Sequence, residues 1–447
     1  MSSAHLRMPN DPPGGRRAAL VWGIGVLVYV IAVVHRSSLG VAGIDAADRF
    51  GVGASALSSF SILQVLVYAG MQIPVGLLVD RLGTKRVLSL GIVLFTAGQL
   101  GFALSHAFAP ALVSRAVLGC GDAMTFVSVL RLGAHWFPAR RGPLIAQCAA
   151  LFGMAGNLVS TLLLARMLHT AGWTPTFTGT AAGGALALIL VVLFLKDRPD
   201  AGPRRAPAEK TSPARLREQI ASAWREPGTR LGLWTHFTTQ FSAMAFLLLW
   251  GMPFLVEAEG LSRETAGELL TLVVVSNMVL GIVFGQVIAR HNGARMPLTL
   301  AVVATTALAW VAVLAWPGEH APIGLLVAHA AVLGACGPAS MIGFDFARPA
   351  NPPERLGTAS GIVNMGGFVA TMITLLAVGV ILDAVDGGRG GTPYSAHAYH
   401  IAFCSVFVLQ AIGLTQILRL RRRAAMLERE RITVSRVETV HVPAKAA

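Results

Sequence analysis

Three charged side chains, Arg36, Arg115 and Asp122, lie inside runs that are otherwise almost wholly apolar. A charge at the centre of a hydrocarbon layer costs about 3 kcal/mol on insertion scales, so it must meet a partner or an aqueous cavity. An arginine fork suits a carboxylate or another anionic group, and an aspartate can take up and release a proton as its surroundings change. Trp22, Tyr29 and Arg36 recur every seven residues, about 20° apart around a helix, so they share one stripe. Arg115 and Asp122 are also seven apart and fall on one face, about 10 Å from each other. The spacing predicts an intramembrane site where Asp122 carries a proton and pairs in turn with Arg36 or Arg115. His35, titratable near neutral pH, is a second candidate for the proton. The plainer alternatives are a permanent ion pair that stabilises the bundle and an Arg36 that reaches for the membrane surface.

The elements that hold these groups follow from hydropathy. Of 447 residues, 54% are hydrophobic and 13% charged, with a mean hydropathy of +0.64, which excludes a soluble chain. Spans of about 20 apolar residues cross a bilayer. Twelve such spans read at 18–43, 54–79, 87–105, 110–134, 142–168, 175–195, 231–256, 265–289, 297–315, 321–346, 357–382 and 398–418. The first is too long for a cleavable signal and is expected to stay as a helix. Residues 1–17 read as a disordered tail, 18–195 and 231–418 as two six-helix bundles, 196–230 as a linker, and 419–447 as a basic tail, disordered beyond Val434. Within the linker, Thr211 to Trp224 reads either as a basic amphipathic helix on the inner leaflet or as solvated chain.

The net charge of +14 sits in loops and tails, as the positive-inside rule requires, and no nucleic-acid motif accompanies it. Short-loop charges divide unequally. Arg81, Lys85, Arg86, Arg140, Arg141, Arg290, Arg295, Arg348 and Arg355 fall on one side, and Arg49, Arg263 and Arg389 on the other. Both termini are therefore expected in the cytoplasm, the protein being multi-pass in a cell inner or plasma membrane. Cys120, Cys148, Cys336 and Cys404 are singletons in apolar runs and read as core packing.

Between the second and third spans, Gly76 to Arg86 reads GLLVDRLGTKR. Gly76 removes a side chain where helices are expected to pass closely, and Gly83 permits the reversal. The segment resembles the loop signature of the major facilitator superfamily. A second copy, GQVIARHNGAR, begins at Gly285, 209 residues on, while Val117-Leu118-Gly119 and Val332-Leu333-Gly334 stand 215 apart. Such a tandem repeat is what that superfamily's parallel six-helix halves require. The copies suggest a cytoplasmic gate in which Asp80 and Arg81 lie with Arg131 in the first half, and Arg290 faces Asp345 in the second. The alternative is that these charges only mark the membrane surface.

HRSSLGVA at His35 to Ala42 is similar to a helix 1 segment of the anion:cation symporter branch, and RAVLGCGDAM at Arg115 to Met124 to its helix 4 segment. His35 stands where an acid is usual and Ser38 where asparagine is usual. The resemblance implies that Arg36 binds an anionic substrate, with Gln240 and Asn364 as ligands from the second half. Gly119 and Gly121 are expected to let helix 1 approach closely.

The reading is an all-α polytopic membrane protein with twelve spans in two pseudo-symmetric six-helix halves. It is expected to work by alternating access as a proton-coupled carrier of a small organic anion. Efflux of an amphipathic metabolite or drug is the second reading, and a non-transporting sensor the third. The expected partners are a small anion, protons and lipids, with no cofactor, metal or nucleic acid and the chain a monomer; hydrolase, kinase and metal-ligand patterns are not found.

Overall fold

Apolar runs of this length fold as helices because hydrocarbon leaves backbone N–H and C=O groups no partner outside the segment. The computed structural model describes residues 14–138, 141–199, 213–318, 320–352, 355–387 and 393–440. Twelve of its helices are long and apolar enough to cross a membrane. They are α1 (Arg16–Phe50), α2 (Ala54–Leu82), α3 (Thr84–Leu104), α4 (Phe108–Trp136), α5 (142–171) and α6 (Trp173–Phe194). The second half comprises α7 (Pro227–Ala258), α8 (Arg263–Arg290), α9 (Arg295–Leu314), α10 (Ile323–Ala347), α11 (Leu356–Asp386) and α12 (396–440).

Several boundaries depart from hydropathy. α1 runs two turns past Gly43 through Asp45, Asp48 and Arg49, because a helix tolerates charge once it leaves the apolar layer. α12 continues as helix to Val440, so the stretch beyond Val434 is not irregular up to that residue. Residues 1–13, 200–212 and 441–447 lie outside the described set, as does the expectation for most of the N-terminal tail. The linker contains a helix, Pro213–Arg225. Its Ala223 is buried against Ala347, Ala359 and Val363, which ties the helix to α10 and α11 rather than leaving it free on a leaflet or in solvent.

Gly83 carries the turn between α2 and α3 at φ 84°, a conformation that a Cβ would strain. The loop is fastened from outside. Asp197 accepts the Lys85 backbone N–H at 2.5 Å at the start of α3, and Lys85 Nζ donates to the Val192 carbonyl at 2.7 Å near the end of α6. Both contacts complement helix-end charge. Gly76, by contrast, has open space where a Cβ would stand, so the close crossing expected there is not present. Close contact is found instead between α3 and α4, where a Cβ on Gly98 would come within 2.6 Å of Leu118 N. Gly119 faces Gln64 of α2 and Gly121 faces Gly91 and Phe95 of α3, so neither serves the approach of α1.

The repeat is visible in packing. Gly119 of α4 lies on α2, and its counterpart Gly334 of α10 lies on Ser276 and Asn277 of α8. Where the halves meet, one end is shut. A Cβ on Gly40 of α1 would run into the Leu247 carbonyl of α7, and Thr161 and Thr271 hydroxyls meet at 3.2 Å between α5 and α8. Two of these contact segments, Ser160–Leu164 and Phe246–Trp250, widen into π turns, which no local sequence signal announces. At the opposite end, Gly76 of α2 and Gly357 and Gly361 of α11 have open space where a side chain would stand.

Candidate functional site

Arg36 and Asp122 meet midway along α1 and α4, with Nε 3.5 Å from Oδ2. Asp122 is fully buried, and neither of its carboxylate oxygens accepts a hydrogen bond from another described group. The Arg36 guanidinium lies over the Tyr68 ring at 5.0 Å, a cation–π arrangement that partly replaces lost hydration. Tyr29, one turn pair before Arg36 on the same stripe, brings its phenol against Arg36 and meets the Phe126 ring at a tilt, centroids 5.1 Å apart. Tyr68 in turn meets Phe368 of α11 at 5.8 Å, so an aromatic pair joins the charged side of the site to the second half.

Arg115 does something other than wait for Asp122. Fully buried over Phe102, it donates to the His35 carbonyl at 3.4 Å, the Ser38 hydroxyl at 3.2 Å and the Arg36 carbonyl at 3.2 Å. It clips α4 to α1 and fixes the height at which Arg36 leaves its helix. Two of these acceptors are backbone carbonyls and one is a side-chain hydroxyl, while Arg115 Nε has no hydrogen-bond partner among the described residues. His35 points away from the Arg36–Asp122 pair. It is turned about 100° from Arg36, as adjacent helix positions must be, and its Nε2 donates to the Thr180 carbonyl at 3.0 Å beside Phe95. It belongs to an α1–α3–α6 polar knot with Gln99, which donates to the Thr180 hydroxyl at 3.0 Å.

From the second half, His236, Gln240 and Met244 share one face of α7 at four-residue spacing, as do Asn364 and Phe368 on α11. His236 is buried and its Nδ1 accepts the Gly367 N–H at 3.1 Å, which places its proton on Nε2. Gln240 is half-buried, packs against Gly367 and donates to Met244 Sδ at 3.2 Å. Asn364 is half-buried one turn before Phe368.

In the second half, the pairing expected of the gate is made by different residues. Asp345 is held by Arg295 and Arg348, each at 3.7 Å, while Arg290 is exposed at the end of α8. Arg295, opening α9, reaches Asp345 and replaces Arg290 in that pairing. Arg131 borders a cavity of about 300 Å³ with Gly76, Val79 and Val127. Arg81 is exposed, and the side chain of Asp80 lies outside what is described.

At the shut end a latch is present that sequence reasoning missed. The first N–H groups of α2 have no partner within the helix, and its N-cap, Gly53, has no side chain. Asp383 of α11 supplies the cap from the other half. Its carboxylate accepts the Ala54 and Ser55 N–H groups at 2.9 Å each, the Ser55 hydroxyl, and the Tyr394 hydroxyl at 2.6 Å. Tyr394 also accepts from Ala54 N at 2.8 Å; burial, with the Asp383 hydrogen bond, pushes its phenol well up, so it stays protonated. Arg263 binds both Asp45 oxygens at 2.8 Å across the same end.

The profile of the Major Facilitator Superfamily matches residues 25–375. A protein named "Probable galactarate/D-glucarate transporter" in Escherichia coli is 25% identical over 86% of this chain and 93% of its own length. Another, "Probable sulfoacetate transporter" of Cupriavidus necator, is 24% identical over 61% of this chain and 66% of its own length. In three dimensions a bacterial homologue of the human lysosomal transporter Spinster, inward-facing, gives a TM-score of 0.72 at 15% identity, covering 92% of this chain and 98% of that one. At that identity the likeness concerns the fold.

Proposed function

This chain belongs to the Major Facilitator Superfamily and is a membrane transporter, and on that premise we propose that it carries a small organic anion together with protons by alternating access. The observation that carries the proposal is the buried Arg36–Asp122 pair, placed beside the Tyr68–Phe368 contact between the halves. While Asp122 is ionised it occupies Arg36. A proton on Asp122 frees the guanidinium, and an anion can then take the carboxylate's place with no net change of charge in the site. Proton and anion thus load together, and neither loads alone without leaving an unpaired charge in low dielectric.

In this proposal, residues 18–195 and 231–418 rock as two bodies. The end closed by Asp383 faces out, and the end bearing Arg81, Lys85 and Arg86 faces the cytoplasm, following the charge asymmetry of the loops. His35 and Arg115 act as positioning residues, through Thr180 and through the α1 carbonyls.

Uptake of labelled organic acids into proteoliposomes, with and without a pH gradient, tests the proposal. Asp122→Asn mimics the protonated acid permanently, so it should exchange substrate at equilibrium yet fail to accumulate it against an imposed gradient. Arg36→Lys keeps the charge but loses the fork, and should weaken binding while the protein stays folded. Normal proton-driven accumulation by folded Asp122→Asn would remove that residue from the mechanism.

A further inference from the structure

We infer that Asn157 of α5 and Asn277 of α8 form a second binding subsite, which takes an oxygen-bearing polar group at the far end of the anion held by Arg36. The inference rests on the reading of Arg36 as the anion-binding group, and deepens it by naming what holds the rest of the molecule. The two halves meet along two seams. One joins α2 to α11 through the Tyr68 and Phe368 rings, and the other joins α5 to α8 through the Thr161 and Thr271 hydroxyls. The first belongs to an apolar cluster that includes Leu248 and Met372. The second carries the amides.

Packing aims both amides between the halves. Asn157 stands midway along α5. One turn before it Gly153 packs on Tyr29 of α1, and one turn after it Thr161 meets α8. Positions four apart lie on one face, so Asn157 faces the gap between α1 and α8. The hydroxyl of Ser37, the residue after Arg36, donates to Asn157 Oδ1 at 2.8 Å, and the Asn157 NH₂ group meets no acceptor among the described residues. Asn277 stands midway along α8. Its amide lies against Gly337 of α10, where a Cβ would collide with it, and hydrogen-bonds to none of the described groups. Both residues are half-buried and open on one side. An amide left unpaired at that depth is costly against lipid tails, and a polar ligand between the halves removes the cost.

The repeat gives Asn277 its direction. A Cβ on Gly119 would come within 2.8 Å of the Gln64 carbonyl, and one on Gly334 within 2.9 Å of the Val273 carbonyl. Gln64 and Val273 are 209 residues apart, the offset that relates the loop signature to its second copy. At that offset Tyr68 falls on Asn277, and at 215 Asp122 falls on Gly337. Tyr68 covers the Arg36 guanidinium from α2. Asn277, lying on the counterpart of Asp122, faces the same centre from the second half. The pseudo-two-fold axis thus sets a ring on one seam opposite an amide on the other, at one depth.

The test is equilibrium exchange of labelled D-gluconate by the full-length protein in proteoliposomes, with unlabelled D-gluconate and hexanoate as competitors. Both are monoanions of equal chain length, and only gluconate carries hydroxyls. Gluconate should compete better by roughly 100-fold or more, since a site built to hydrogen-bond rejects an analogue that leaves its polar groups unpaired. Asn157→Ala and Asn277→Ala should each weaken gluconate roughly tenfold and leave hexanoate unchanged, at an unaltered melting temperature. Asn277→Ser, which keeps a hydroxyl, should fall between parent and alanine. A lower melting temperature with both anions weakened alike would mean that the amides only join helices, and would overturn the inference. Parent-like gluconate affinity in both folded alanine variants, or hexanoate matching gluconate in the parent, would overturn it too while leaving anion transport standing. If neither anion moved or competed, the functional reading itself would fall, and this inference with it.

Discussion

Replacing Asp383 by asparagine should open the shut end of the transporter. The substitution keeps the shape of the side chain but removes its charge, and it turns one acceptor oxygen into an NH₂ group. That group must then face one of four donors: the Ala54 and Ser55 N–H groups or the Ser55 and Tyr394 hydroxyls. A hydrogen bond to a charged group contributes about 1.5–3 kcal/mol, and a charge at a helix N-terminus about 0.3–1 kcal/mol. Asp383 is half-buried, so solvent screening argues for the lower part of that range, about 1.5–2 kcal/mol in total. This converts to a shift of roughly 10- to 30-fold in the balance between closed and open forms. Spin labels at Val52 and Val385, which flank the latch, would report it as a longer-distance population absent from the parent. Asp386→Asn is the control, since Asp386 binds Ser395 within its own half, at 2.6 and 3.1 Å, and should leave the distances unchanged. An unaltered distribution in folded Asp383→Asn would refute the idea that this carboxylate holds the end closed.

Other expectations follow from the same geometry. Tyr394→Phe should loosen the latch less than Asp383→Asn, because the α2 amides stay on the carboxylate; the same spin-label pair reads the difference. Gly98→Ala should lower the melting temperature, at a cost of about 1–3 kcal/mol for overpacking, since its Cβ would meet Leu118 N at 2.6 Å and the Ser114 carbonyl at 2.7 Å, both backbone. Gly23→Ala, with open space around it, should leave the melting temperature unchanged. Arg115→Gln should reduce folded yield and melting temperature, with transport falling only in proportion, whereas Arg36→Lys should lose affinity in a protein that melts normally.

What the sequence made legible here is what local chemistry decides. Twelve apolar lengths imply twelve helices because nothing else satisfies a backbone in lipid, and Gly83 implies a reversal because its neighbours change from apolar to charged there. Arg36 and Asp122 stood out because a charge in an apolar run needs a reason. The position of His35 was also within reach, since adjacent helix residues point about 100° apart and cannot serve one site together. Partner choice was not legible. Gly119 and Gly121 promised a close approach but did not say to which helix, and Gly76 promised one that is not there. Asp383 reads as an ordinary end-of-helix acid, and its partners Ala54 and Ser55 stand more than 300 residues earlier in the chain. Tyr68 has no charge to draw attention, yet it lies between Arg36 and the second half.

The gap has one physical origin. Insertion into a bilayer is a property of each segment, so selection for it leaves a mark segment by segment. A site between helices is a property of faces, and a face is set by rotations that each helix acquires only from its neighbours. The repeat carries the scaffold across both halves, as Gly119 and Gly334 show by packing on equivalent helices. It does not carry the charge, because Arg115 and Asp122 give way to Ala330 and Gly337. Under the proposed mechanism, a two-fold scaffold with one-sided chemistry would let one half hold the proton and the anion while the other offers an uncharged wall that can move past them. Charge fixed in both halves would bind the substrate between two clamps, and every change of access would have to break one of them.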